Sequence, residues 1–240
     1  MARTEQSFDF LGDMVRKVQA GTLVPAAFQR QYVWNRGDVE EMWASIEMRD
    51  PLGGVLLWRP EDEETARRLA RGNLGPVTVV PGSRTGLILD GQNRLVTLAW
   101  SMFDPDDVVA DAPGSAVWNN GDGHVLVADP VTDPLTPRIV FMPRADVQGL
   151  MMPIWLLFDN SAFNRHIREN WDIDNPETEE SGKIAVDWLS LLQEASRQAR
   201  VVVSTIQGGD ADEARRRFLR IARVGVPMSA SDFDEIATAS

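Results

Sequence analysis

Five consecutive residues, Asp90-Gly91-Gln92-Asn93-Arg94, combine groups that handle phosphate chemistry. They follow the apolar run Leu87-Ile88-Leu89 and precede apolar residues at helical spacing, Leu95, Leu98, Ala99 and Met102. A short strand, a tight turn and a helix N-terminus are therefore expected there. The first turn of a helix presents unpaired N–H groups and a partial positive charge, which suits an anion. Gly91 permits a sharp turn and close approach to a ligand. Arg94 in that first turn opposes the helix dipole, and a phosphate in front of it would explain its position. Asp90 at the strand end is a candidate ligand for Mg2+ or a group that orients water. Gln92 is placed to hydrogen-bond a nucleotide or that water. The competing structural reading makes Asp90 a helix cap and pairs Arg94 with a carboxylate.

Two further clusters carry the same kind of chemistry. In Phe28-Gln29-Arg30-Gln31-Tyr32-Val33-Trp34, an arginine sits among aromatic and amide side chains. Such a set can hold phosphate while its rings stack on bases; equally, the rings are core residues and Arg30 a surface ion pair. The run 215–223 holds five arginines, Arg215, Arg216, Arg217, Arg220 and Arg223. It reads as a basic helix face for phosphates, or as a solvated face balancing acidic neighbours.

These residues must be positioned by a mixed architecture, α/β or α+β, since strand and helix signals alternate along the chain. Helices are expected over 8–18, from an Asp38 N-cap to about 48, over 61–71, after Gly91, over 151–158, 184–195 and 211–223, and from Ser229 onward. Strands are expected at 55–58, 77–80, 87–89, 125–127, 138–141 and 201–206, with 22–32 extended. Segment 104–120, rich in Asp, Pro and Gly, reads as a surface loop, and 170–182 as an acidic one.

Composition narrows the function. Among 240 residues there is no cysteine, so thiolate nucleophiles and Cys-ligated zinc are excluded. With only His124 and His166, an HNH-type nuclease centre is hard to build from this chain. The net charge is −12: residues 1–100 carry 12 Arg/Lys against 13 Asp/Glu, and residues 101–240 carry 12 against 23. Strong non-specific duplex binding would need a basic face, and the chain as a whole does not advertise one. Lys17 and Lys183 are its only lysines, and arginine suits bidentate phosphate recognition. No apolar run approaches the roughly 18 residues that span a bilayer, and the polar N-terminus lacks a signal-peptide core. The expectation is a cytoplasmic protein without membrane contact.

Read in order, several stretches resemble one family. They are Phe28-Gln29-Arg30-x-Tyr32-x-Trp34; Ser45-Ile46 through Pro51 to Trp58; Leu89-Asp90-Gly91-Gln92-Asn93-Arg94-Leu95-x-Thr97-Leu98; and Phe218-x-Arg220-Ile221-Ala222-x-x-Gly225-Val226-Pro227-Met228-Ser229. They are similar to the signatures of the GmrSD-type restriction family, whose members carry a DGQQR motif. The resemblance implies a single N-terminal domain over 1–240, with a ParB/sulfiredoxin-like core at about 22–103 and a hairpin and helical extension at about 104–240. It implies binding and hydrolysis of a nucleoside triphosphate with Mg2+, with Asp90, Gln92 and Arg94 catalytic and Asp90 on the metal. Gln29, Arg30, Gly91 and Asn93 would hold the nucleotide, and Tyr32, Trp34, Arg220 and Arg223 would contact DNA. The implied setting is a modification-dependent restriction or phage-defence system, with a nuclease subunit or a further C-terminal domain as partner. The alternative is a non-catalytic sensor of nucleotide or modified DNA. Asn93 stands where the motif has a second Gln, and Ala222 where the family has Asn; both departures favour that alternative.

Overall fold

The structure, a computed structural model, describes residues 3–27, 32–79, 85–108, 111–171 and 179–222. Its elements in chain order begin with β1 (Arg3–Phe10), α1 (Leu11–Gln19), β2 (Leu23–Pro25), α2 (Arg36–Glu47), β3 (Gly54–Arg59) and α3 (Glu63–Arg68). Then come β4 (Asn73–Leu74), β5 (Val77–Thr78), β6 (Gly86–Asp90), α4 (Gln92–Ser101) and α5 (Ser115–Trp118). The last are β7 (His124–Asp129), β8 (Arg138–Pro143), β9 (Met152–Pro153), α6 (Asn160–Asn170), α7 (Glu179–Gln198), β10 (Arg200–Gln207) and α8 (Ala211–Ala222). The class is α+β, as the alternating signals imply.

Five strands form the central sheet in the order β1-β10-β3-β6-β2. β1–β10 and β3–β6 pair antiparallel, β10–β3 and β6–β2 parallel. Two of those strands, β1 and β10, lie outside 22–103. A second sheet, β8-β7-β9, is joined to the first layer through α2: the backbone N–H of Phe141 donates to Glu40 Oε1 at 2.7 Å, and the Arg36 guanidinium lies 5.0 Å from the Phe141 ring centre.

α4 is the central helix. Leu95, Val96, Leu98, Ala99 and Trp100 are buried, and so are the polar Thr97 and Ser101. A helix apolar on most of its circumference belongs inside a protein. Its polar groups are answered: Trp43 Nε1 donates to Ser101 Oγ at 3.0 Å, and Ser101 Oγ to the Thr97 carbonyl at 2.8 Å. α1 packs on one side with Leu11, Met14, Val15 and Val18. On another, Trp100 stacks with Trp118 at 6.2 Å, and its indole donates to the Pro113 carbonyl. The described part of 104–120 is thus no plain loop: residues 113–118 pack over α4 and contribute α5.

Other expectations shift. Residues 8–10 belong to an edge strand, and the first helix opens only at Leu11. The α2 cap is Asn35 rather than Asp38. Asn35 Oδ1 accepts from the Asp38 N–H while Asp38 accepts from the Asn35 N–H, a reciprocal capping box one turn earlier. Residues 154–158 form a 3-10 turn, and the helix follows it as α6, capped by Asp159. The helix expected from Ser229 lies outside the described residues.

Candidate functional site

β3 and β6 meet with an irregular register: Leu56 faces Asp90 but Leu57 faces Ile88, leaving an extra residue on β6 just before the turn. Bulges of this kind re-aim side chains at strand ends. Asp90 ends the strand exposed, and Gly91 then adopts φ +88° as the residue preceding α4. A Cβ there would lie 2.9 Å from Val55 Cγ2 and 3.3 Å from the Gly54 carbonyl oxygen. Gly91 is therefore required by its own fold, both for the left-handed backbone and for the close approach of β3.

No side chain caps α4. The first-turn donors lack the usual side-chain acceptor, and Asp90 does not serve as one. Gln92 is 7 % exposed, and its Oε1 is buried without a hydrogen-bond partner. A buried acceptor left unpaired is unfavourable and uncommon.

Arg94 turns back across the chain. Its Nη1 donates to the Leu52 carbonyl at 2.5 Å and its Nη2 to the Gly54 carbonyl at 2.7 Å. It makes no carboxylate salt bridge among the described residues. Burial pulls its pKa below the ordinary guanidinium value, and the Asp90 charge opposes that pull. The side chain remains a cation, because arginine does not lose its proton in proteins. Gly53, at φ +74°, makes room for it: a Cβ there would sit 2.4 Å from Arg94 Nη1. The guanidinium thus fastens the loop between α2 and β3 while carrying a charge with no contacting counter-ion among the described residues.

Arg94 also forms one wall of a groove of about 370 Å³. Asp38, Glu41, Met42 and Ser45, spaced on one face of α2, form the second wall, with Trp34 and the loop 51–53 completing it. Trp34 is half-buried and joins Arg94 there. Tyr32 does not: its hydroxyl bonds Thr97 Oγ1 at 2.9 Å, and it packs on α4. Asn93 lies half-buried in the first turn of α4. Arg220 is exposed on α8. α8 begins beyond Gly208, whose carbonyl receives the Trp58 indole near the end of β3 remote from Arg94. Gln29, Arg30 and Arg223 lie outside the described residues. Among those described, no group of three or more His, Asp or Glu side chains gathers to hold a metal, at Asp90 or elsewhere.

Sequence reasoning missed Gly53 and the carbonyls of Leu52 and Gly54. A glycine pair after a helix signals only a break in it; the bond from Gly54 to a residue 40 positions away has no local signature.

The site is thus a strand–turn–helix with an uncapped helix end, a cation beside it and an adjoining groove, set in an α+β domain. The chain belongs to the GmrSD restriction endonuclease N-terminal domain family, whose model matches residues 11–234. Over 98 residues it is 33% identical to the uncharacterized protein MJ0686 of Methanocaldococcus jannaschii, a match covering 39% of this chain and 17% of that protein. No helix among the described residues is long and apolar enough to cross a membrane.

Proposed function

We propose that this chain is the nucleotide-binding and nucleotide-hydrolysing module of a modification-dependent restriction or phage-defence system. The observation that carries the reading is Arg94: a cation with no contacting carboxylate among the described residues, held by two carbonyls beside an uncapped helix N-terminus and facing a groove. Placing a guanidinium against the positive end of a helix is unfavourable unless an anion bridges them. A phosphate group does so, accepting from the first-turn N–H groups of α4 and from the remaining guanidinium donors. The groove is of mononucleotide size, and the Trp34 ring in its wall offers a stacking surface for the base. The family's ParB/sulfiredoxin-like reading of strand, turn and helix is consistent with this placement.

Asp90, exposed at the strand end, is the carboxylate that would hold Mg2+, an ion often bound through one or two carboxylates together with its substrate's phosphates. When bound, the ion neutralises phosphate charge. Gln92 Oε1, buried next to the turn, would have to swing outward to accept a hydrogen from an attacking water and fix its direction. Turnover feeds DNA cleavage by a nuclease subunit or domain. Triphosphate hydrolysis is expected to fall sharply in Arg94→Ala and in Asp90→Ala; equal turnover in wild type and both variants would overturn the reading.

A second reading, a sensor that binds without turnover, draws on Asn93 in place of glutamine and on the lack, among the described residues, of a cluster of three or more metal-binding side chains. It expects nucleotide binding with no hydrolysis in wild type.

A further inference from the structure

We infer that β1 pairs antiparallel with β1 of a second copy of this chain, joining two central sheets edge to edge about a twofold axis at Gln6. The inference does not rest on the nucleotide reading.

The two edges of the central sheet differ. β2 is three residues long, buried, and ends in Pro25, the short and proline-marked form that protects an edge. β1 is eight residues long and has no proline, and Arg3 through Phe8 are all exposed. Among the described residues only β10 pairs with it. A long edge of open N–H and C=O groups is a template for another strand. Parity says which groups are open. The Leu11 N–H donates to the Ala199 carbonyl at 2.9 Å, and that pair continues the β1–β10 register. Hydrogen-bonded pairs alternate along an antiparallel ladder. Arg3, Glu5, Ser7 and Asp9 therefore direct their backbone groups to β10, while Thr4, Gln6 and Phe8 direct theirs outward.

Charge complementarity then selects the occupant and the register. An antiparallel partner must bring outward groups against outward groups, so even-numbered residues of β1 must face even-numbered ones. Centred on Gln6, the strand meets a second copy of itself with Gln6 opposite Gln6 and Thr4 opposite Phe8, each both donating and accepting. The charged residues of β1, Arg3, Glu5 and Asp9, share the other face, since strand residues two apart point the same way. In this register Arg3 of each copy faces Asp9 of the other, and Glu5 faces Ser7. Opposite charges across a ladder stabilise it and like charges destabilise it. Centring on Ser7 instead sets Glu5 against Asp9, and centring on Glu5 sets that carboxylate against itself. Centring on Thr4 or Phe8 pairs shorter stretches. The Arg3 side chain is 77% exposed, bonded to Glu5 on its own strand, and Asp9 is bonded to Lys17, so both ends of each new pair are already ordered. Phe8, 76 % exposed, gains Thr4 of the second copy as its neighbour. One strand pair makes a small interface, and a dimer of micromolar strength is expected.

The test is sedimentation velocity on the full chain over a micromolar concentration series at low salt. Wild type should show a reversible monomer–dimer equilibrium. Arg3→Glu and Asp9→Lys each set like charges together twice in the dimer and should weaken association roughly fivefold or more. An equimolar mixture of the two variants should regain wild-type association, because the new carboxylate of one then faces the new ammonium of the other. That recovery also separates a lost contact from a lost fold. The chain has no cysteine, so single cysteines report the register. Facing residues of a hydrogen-bonded pair lie about 5.5 Å apart at Cα, within disulfide range. On mild oxidation Gln6→Cys should therefore crosslink two chains faster than Ser7→Cys, and faster than Leu135→Cys, an exposed control. The inference is overturned if wild type stays monomeric throughout the series, if either charge variant associates like wild type, if the mixture does not recover, or if Gln6→Cys is not the fastest to crosslink.

Discussion

At the scale of single residues, Arg94 has two tasks that pull in different directions. Its hydrogen bonds to the Leu52 and Gly54 carbonyls are structural, yet they leave its charge without a contacting counter-ion among the described residues. The glycine beneath it makes both tasks possible. Gly53→Ala would place a Cβ against Nη1 and force an L side chain into a left-handed backbone, costing about 1–3 kcal/mol. The expected outcome is a lower melting temperature together with weaker nucleotide binding; unchanged binding would show that the guanidinium position does not matter. Tyr32 gives a second test. Burial raises its pKa above the ordinary 10.0, against the Thr97 hydrogen bond. A raised folded-state value means that its contribution is fully present below the unfolded pKa and is lost as pH rises through the folded one. As the only tyrosine in the chain, it reports its own titration by tyrosinate absorbance. The midpoint should lie above 10.0 in the folded protein, and Tyr32→Phe should flatten the alkaline loss of stability. A midpoint at the free-tyrosine value would contradict the packing of Tyr32 on α4.

At the scale of elements, what was legible followed the strength of local signals. The strand, turn and helix around Asp90 could be read because an apolar run, a glycine and helical spacing coincide. The β10 strand announced itself through Val201, Val202 and Val203. β1 did not: as an edge strand with most of both faces exposed, its sequence Arg-Thr-Glu-Gln-Ser-Phe lacks apolar alternation. α6 was hidden because its only buried residue is Phe163, and the neighbouring run Ile154–Phe158 looked more helical than the true helix. In α2, Asp38 and Asn35 are both good caps, and the reciprocal bond between them, rather than residue type, decides which one starts the helix. That cap also supports the groove, since α2 supplies Asp38, Glu41, Met42 and Ser45. Asn35→Ala should cost roughly 0.5–2 kcal/mol, read as a drop in melting temperature. If stability is unchanged, the capping box contributes nothing.

At the scale of the whole molecule, contacts distant in sequence decide function. The sheet brings β10, nearly the last element, between β1 and β3, so that Arg200 and Phe8 border the same loop that Arg94 holds. The net charge of −12 speaks against broad DNA binding; the fold instead gathers the charged residues of β1, Arg3, Glu5 and Asp9, on one face of the sheet. A ligand that binds only the folded chain at about 100 times its dissociation constant adds roughly 2.7 kcal/mol. For a chain of this size that is a melting shift of roughly 5–10 °C.

The most direct measurement is a calorimetric titration of a non-hydrolysable nucleoside triphosphate with Mg2+ into wild type, Arg94→Ala and Asp90→Asn, each checked for folding by its melting curve. Saturable binding in wild type and a loss of roughly tenfold or more in folded Arg94→Ala are expected, the size of a lost charge-assisted hydrogen bond. Equal affinity in wild type and folded Arg94→Ala, or no binding of any triphosphate to wild type, would contradict a phosphate site at the start of α4.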